Sequence, residues 1–179
     1  MTYVVLLRGI NVGGKRKVDM KRLKEICERV GMKEVRTYIN SGNVIFQCEA
    51  DESALLAGAL EAAIQSELGF PVKVFLRDAG NIRAIVAAMP ADWVDGDEAK
   101  CDVLFLDYSI DAKDLLGRLT INPGIDEVKH VPGAILWRVE RAKVTRSGLL
   151  KLAATEWYAK MTVRNCNTVR KLGALMEKI

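Results

Sequence analysis

Four consecutive turn formers, Asn40-Ser41-Gly42-Asn43, separate two short β-rich runs, residues 35–39 and 44–46. Asn and Gly tolerate the positive φ that a tight turn between antiparallel strands demands, so the pair reads as a β-hairpin. Upstream lies an apolar run at residues 3–7. Behind a capping Asp19, Met20, Leu23, Cys27 and Val30 then recur at helical spacing and stop at Gly31. Downstream, Leu55, Leu56, Ala59, Leu60, Ala63, Ile64 and Leu68 share one helical face, with Asp51 as cap and Gly69 as end. A further apolar run follows Pro71 at 72–76. Strand, helix, hairpin, helix, strand is the split βαβ plan of ferredoxin-like domains, an antiparallel sheet with helices on one face. A hairpin straight after the first helix contradicts a parallel sheet.

The plan then starts again. Asp78 caps a third helix carrying Ile82, Ile85, Val86 and Met89, which Pro90 stops, and residues 91–99 form an acidic, glycine-containing linker. Residues 102–106 read as a strand, and Asp111 starts a helix with Leu115, Leu116 and Leu119. Runs at 125–131 and 134–139 flank Pro132-Gly133 as a second hairpin. Helix is expected from Thr145 to about Tyr158, and again from about Asn167 to Lys178 around Val169, Leu172, Leu175 and Met176. Helices thus stand where a fourth strand of the second unit would be. The expected class is α+β, with tandem ferredoxin-like units, antiparallel sheets and C-terminal helices. The first unit and its third helix span 1–90, the second unit 91–179, and the likeness between them lies in element order.

Half of the 179 residues are hydrophobic and 28% are charged, which provides a core and argues against disorder. Cys27, Cys48, Cys101 and Cys166 form no Cys-x-x-Cys pair and have no nearby histidine. That argues against a zinc site and against a disulfide framework; no metal and no cofactor is expected. His130 is the one histidine, so any histidine-dependent catalysis hangs on it. It sits beside a hairpin turn without a spaced partner and reads as structural or exposed. No apolar run nears the roughly 18 residues of a membrane span, and the start shows no basic region followed by an apolar stretch. A cytoplasmic chain without a membrane partner is expected.

Charge is segregated. Residues 1–36 carry +6, residues 37–137 carry −9 and residues 138–179 carry +7. If the two ends meet, they form a basic face suited to phosphate groups and polyanions; solvated helix faces account equally well for such runs.

Three segments can carry chemistry. In residues 8–17, Arg8-Gly9-Ile10-Asn11-Val12-Gly13-Gly14-Lys15-Arg16-Lys17, three glycines let backbone N–H groups converge on an anion and the basic run holds it. The spacing opens like a nucleotide-binding P-loop. Arg16 stands where that motif needs Ser or Thr, and the helix starts only at Asp19, which argues against it. The second segment is the turn around Ser41 and Asn43, whose polar groups either only shape the turn or also face a ligand. The third is Thr162-Val163-Arg164-Asn165-Cys166-Asn167-Thr168-Val169-Arg170, in which a helix N-terminus is expected and two arginines add donors for phosphate or carboxylate. Cys166, near that start and beside Arg164, reads as buried and inert rather than reactive. Tyr3, Phe46 and Phe75 are placed together on one sheet face, and Trp93, Trp137 and Trp157 form no stacking stripe.

Three stretches, 6–14, 38–46 and Thr162-Val163-Arg164-Asn165 followed by Thr168 and Lys171-Leu172, resemble the bacterial domain-of-unknown-function family 1697 along essentially the whole chain. The resemblance implies a compact α+β fold related to tandem ferredoxin-like units, and no established activity, substrate or cofactor. Where that pattern often has an aromatic residue after Arg164-Asn165, this chain has Cys166.

The leading expectation is a binding protein for a phosphate-bearing small molecule or nucleic acid. Its site is Arg8, Gly9, Asn11, Gly13, Gly14 and Lys15, with Ser41, Asn43, Arg164 and Asn165. One alternative is an enzyme acting on a small anionic substrate such as a nucleotide or sugar phosphate, with Lys15 and Arg164 stabilising charge, but no general base stands out. The other is a protein-interaction module or homo-oligomer joined through opposite-charge surfaces.

Overall fold

Every side chain from Tyr3 to Leu7 of β1 (Thr2–Leu7) is buried, as an uninterrupted apolar run requires of a central strand. The computed structural model describes residues 1–49 and 53–179; the expected cap Asp51 lies outside the described residues. Contacts divide the chain into two compact units, Met1–Gly80 with Leu172–Ile179, and Asn81–Lys171.

In the first unit β1 is followed by α1 (Met20–Arg29), β2 (Lys33–Tyr38), β3 (Asn43–Gln47), α2 (Ser53–Leu68) and β4 (Val74–Asp78). The sheet is antiparallel in the order β2-β3-β1-β4. That is the ferredoxin-like order. Asp19 caps α1 by accepting the Arg22 N–H at 2.9 Å, and Gly31, at φ 99°, ends it. One sheet face (Tyr3, Val5, Leu7, Val44, Phe46, Leu76) forms a core with Leu23 and Ile26 of α1 and Leu60 and Ile64 of α2. Full burial of each such side chain contributes about 1.5–3 kcal/mol. Tyr3 and Phe46 are register partners with rings stacked at 5.8 Å. Phe75 pairs with Leu6, so strand alternation puts it on the opposite face from Tyr3 and Phe46, against expectation. On β2 the register shifts between Lys33 and Arg36, with Glu34 at φ 52°.

After α3 (Ala79–Ala88) the second unit holds β5 (Ala99–Leu106), β6 (Asp126–Val131), β7 (Ala134–Glu140) and β8 (Met161–Asn165). Their order is β6-β7-β5-β8, the same plan by position as in the first unit. Its core joins Leu104, Leu106, Ile135, Trp137 and Met161 to Ile110, Leu115 and Leu152. Here the sequence-based expectations need correcting. The helix expected from Asp111 is the 3-10 segment Lys113–Arg118, preceded by a 3-10 turn at Tyr108–Ile110. Ala112 and not Asp111 precedes that segment as its cap, and the Asp111 carboxylate accepts the Gly133 N–H at 2.7 Å and faces His130 Nε2 at 2.9 Å. His130 therefore has a partner 19 residues away. The helix expected over 145–158 is the single turn α4 (Leu149–Leu152) between 3-10 segments Arg141–Arg146 and Glu156–Lys160. The fourth strand, β8, exists and precedes α5 (Cys166–Met176).

One buried carboxylate ties that corner together. Asp126 accepts the Trp137 indole N–H at 3.0 Å, the Ser147 hydroxyl, and the backbone N–H groups of Asn122 at 2.8 Å and Gly148 at 2.9 Å. No side chain fits at Gly148, where a Cβ would stand 1.8 Å from the Thr120 carbonyl oxygen.

The stretches that leave the two sheets also share four identical positions. Residues 74–89 and 161–176 both run from the fourth strand into a helix, and Arg77, Arg83, Ala87 and Met89 match Arg164, Arg170, Ala174 and Met176. Arg77 pairs with Val4 of the first sheet and Arg164 with Val103 of the second. The likeness is more than element order.

Candidate functional site

Residues 11–16 form a miniature hairpin. The Asn11 N–H donates to Arg16 O and the Lys15 N–H to Val12 O, both at 3.2 Å, and Gly13 (φ 60°) and Gly14 (φ 74°) make the turn. Positive φ at both central residues is the type I′ signature of a two-residue hairpin loop, which explains both glycines. Ile10, 1% exposed, roots the hairpin in the core, while Val12 and residues 13–17 are exposed. With α1 starting at Met20, no helix follows directly on Lys15, as a P-loop would need.

The Asn11 side chain braces this hairpin. Its amide donates to Val18 O at 3.0 Å and to Asn40 O at 2.7 Å, and its oxygen accepts the Val18 N–H at 2.8 Å. The second bond locks the basic segment to the β2–β3 turn. Buried Asn43 shapes that turn by donating to Tyr38 O at 3.0 Å and Ser41 Oγ at 2.9 Å. Asn11, Ser41 and Asn43 thus hold the two turns of the candidate site in shape. Asn11→Ala is expected to cost about 1–2 kcal/mol, from lost bonds at a half-buried position. Amide exchange at Val18 should rise in the same variant; unchanged protection would contradict the bracing role.

Beside the hairpin lies a cleft of ≈ 630 Å³, lined among others by Asn11, Gly14, Lys17, Asp19, Arg22 and Asn40, with Val18, Met20 and Leu68 as its apolar wall. Asp19, Lys17, Arg22 and Asn40 line this cleft but were not among the residues the sequence pointed to, although Lys17 and Asn40 belong to segments singled out there. The cations differ in their partners. Arg22 and Arg29 pair with Glu67, Lys24 with Glu28 and Lys33 with Glu49. Lys15, Arg16 and Lys17 make no ion pair among the described residues; the Arg16 guanidinium lies 5.9 Å from the Phe70 ring centroid. Arg8 and Gly9 lead into the hairpin, with the Arg8 N–H bound to Lys73 O at 2.9 Å and Gly9 at φ 67°.

The remaining candidates belong to the second unit. Arg164 is 7% exposed and donates to Thr162 Oγ1 at 3.1 Å and Val163 O at 2.8 Å; burial lowers its pKa to about 10. Asn165 is the helix cap, accepting the Thr168 N–H at 2.8 Å. Arg170 reaches Trp93 O at 2.6 Å and Pro90 O at 2.8 Å, clamping the linker. Cys166 is fully buried and its thiol is pushed up to about 12 by desolvation, so the neutral, unreactive form dominates. No cluster of three or more His, Cys, Asp or Glu able to hold a metal exists among the described residues. No helix is long and apolar enough to cross a membrane among the described residues.

Comparison with known proteins gives a family and a fold. A family model described as "Protein of unknown function (DUF1697)" matches residues 1–137. The solved structure of a conserved bacterial protein from Streptococcus pneumoniae is similar at a TM-score of 0.83 and 28% identity, covering 98% of each chain. No curated protein matches the sequence.

Proposed function

We propose that the chain, which belongs to the DUF1697 family of unknown function, binds a phosphate-bearing ligand through the basic hairpin of its first unit. The reading rests on one observation: three consecutive exposed cations, Lys15, Arg16 and Lys17, lack a carboxylate partner among the described residues, beside a cleft with both polar and apolar walls. Unpaired cations held on a braced turn are arranged for an external anion and pay little ordering entropy on binding it. Lys17 and Arg22 line the cleft, the exposed Gly13-Gly14 turn offers backbone N–H groups, and Asn11 braces that hairpin against the β2–β3 turn, which Ser41 and Asn43 shape. Arg164 and Asn165 do not enter this reading, because burial and helix capping already account for them.

Calorimetric titration with inorganic phosphate and pyrophosphate tests it. Lys15→Ala and Lys17→Ala should each weaken pyrophosphate about fivefold, about 1 kcal/mol for an exposed charge-assisted contact, with the melting temperature unchanged. Affinity that ignores both substitutions overturns the reading.

A further inference from the structure

We infer that the anion is the phosphate backbone of a nucleic-acid duplex lying along the 11–16 hairpin, an inference that rests on the phosphate-binding reading above. The cations are not gathered around one point. Lys17 lines the cleft with Arg22, whereas Lys15 and Arg16 lie outside it. A single phosphate group in the cleft leaves those two unanswered; a chain of phosphates answers all three. The cleft also has no aromatic lining residue and so no stacking slot for a single base.

The same observation separates duplex from single strand. Proteins that hold single strands stack the unpaired bases on exposed aromatic side chains. In the first unit Tyr3, Phe46 and Phe75 are buried and Tyr38 and Phe70 are half-buried, Phe70 lying against Arg16, so no fully exposed ring stands there. The hairpin offers instead a narrow two-stranded ribbon with Val12 exposed at 68% next to its glycine turn. A two-stranded ribbon is an element that duplex grooves admit, and contacts made by Lys and Arg to phosphates carry no sequence information. The inferred binding is therefore independent of sequence and salt-sensitive.

Fluorescence anisotropy with the full chain decides it, using labelled DNA and RNA duplexes of about 20 base pairs and their separate strands at roughly 50 and 200 mM salt. Three phosphate contacts predict a log–log salt slope of about −2.7, so affinity for a duplex falls about 40-fold over that range. The double substitution Lys15→Ala/Lys17→Ala should bring the slope to about −0.9 and the fall to about 3.5-fold. Single strands should bind more weakly than duplexes, and the DNA and RNA arms identify which duplex is preferred. Single strands binding as tightly as duplexes, or a slope untouched by the double substitution, overturns the inference. Pyrophosphate binding without duplex binding removes the inference and leaves the parent reading standing; absence of both removes both. Unchanged far-ultraviolet circular dichroism of the double variant confirms that folding is not the cause.

Discussion

Asp126→Ala should destabilise the second unit by about 3–5 kcal/mol, the cost of leaving several buried donors without an acceptor. The donors are the Trp137 indole, the Ser147 hydroxyl and the N–H groups of Asn122 and Gly148. Three of them cannot turn to water, because Ser147 and Gly148 are buried and Trp137 is 1% exposed; Asn122 is half-buried. Asp126→Asn should recover only part of the loss, since its NH₂ group places a donor against donors. The network also fixes a pH dependence. Burial pushes the Asp126 carboxyl up, but the Ser147 hydroxyl, the two backbone amides and the Trp137 indole outweigh it and hold the pKa below the usual carboxylate value. With the folded pKa below the unfolded one, the contribution is complete above the unfolded value, about 3.9, and is lost as pH falls through the folded value. Denaturant unfolding of both proteins at stepped pH should show the gap between wild type and Asp126→Ala narrowing below about pH 4. A gap that stays constant into acid would show that the charge is not what holds the corner.

Gly42→Ala is the second large effect and links fold to site. Gly42 stands at φ 77°, and a Cβ there would lie 2.6 Å from Ile10 Cδ1 and 2.8 Å from Leu7 Cβ. Left-handed strain of about 1–2 kcal/mol adds to overpacking of about 1–3 kcal/mol, so a loss of about 2–5 kcal/mol is expected. Its carbonyl also accepts the Leu7 N–H at 2.8 Å, at the end of the central strand. Relief of the clash pushes on Ile10, the root of the basic hairpin, so pyrophosphate affinity should fall with stability. Gly58→Ala is the contrast: it lies exposed in α2 with open space around the position. That change should stabilise by about 0.5–1 kcal/mol and leave binding alone. Equal melting temperatures for Gly42→Ala and wild type would refute the packing argument.

What could be read from the sequence follows physical range. The run at residues 3–7, the α1 face of Leu23 and Cys27 and the Asn40–Asn43 turn are local patterns, and each formed the expected element. The strand β8 was hidden because Thr162 and Asn165 are both cap formers; only Asn165 caps, and Thr162 is a buried strand residue. The segment over 145–158 has helix-forming leucines, but Gly148 is fixed by Thr120 and Asp126, and one helical turn is all that fits. In the candidate site the glycines and the basic run were legible as local composition. The bond from Asn11 to Asn40 spans 29 residues, and the approach of Arg22 and Lys17 to one cleft depends on where α1 packs. No window of sequence contains either fact. Asp126 is one of many strand aspartates until Trp137 and Ser147 are brought to it.

The irregular start of β2 has a consequence for the protein in concentrated solution. A sheet ends there with backbone groups open to another chain, and a flat, apolar border of that kind seeds fibrils. At this border Glu34 takes the left-handed conformation, the ladder slips between Lys33 and Arg36, and Lys33, Glu34 and Arg36 are all exposed. A foreign strand arriving at this rim meets a kink and three charges where it needs an even row of amides. The rim therefore resists templated aggregation by its own shape and charge.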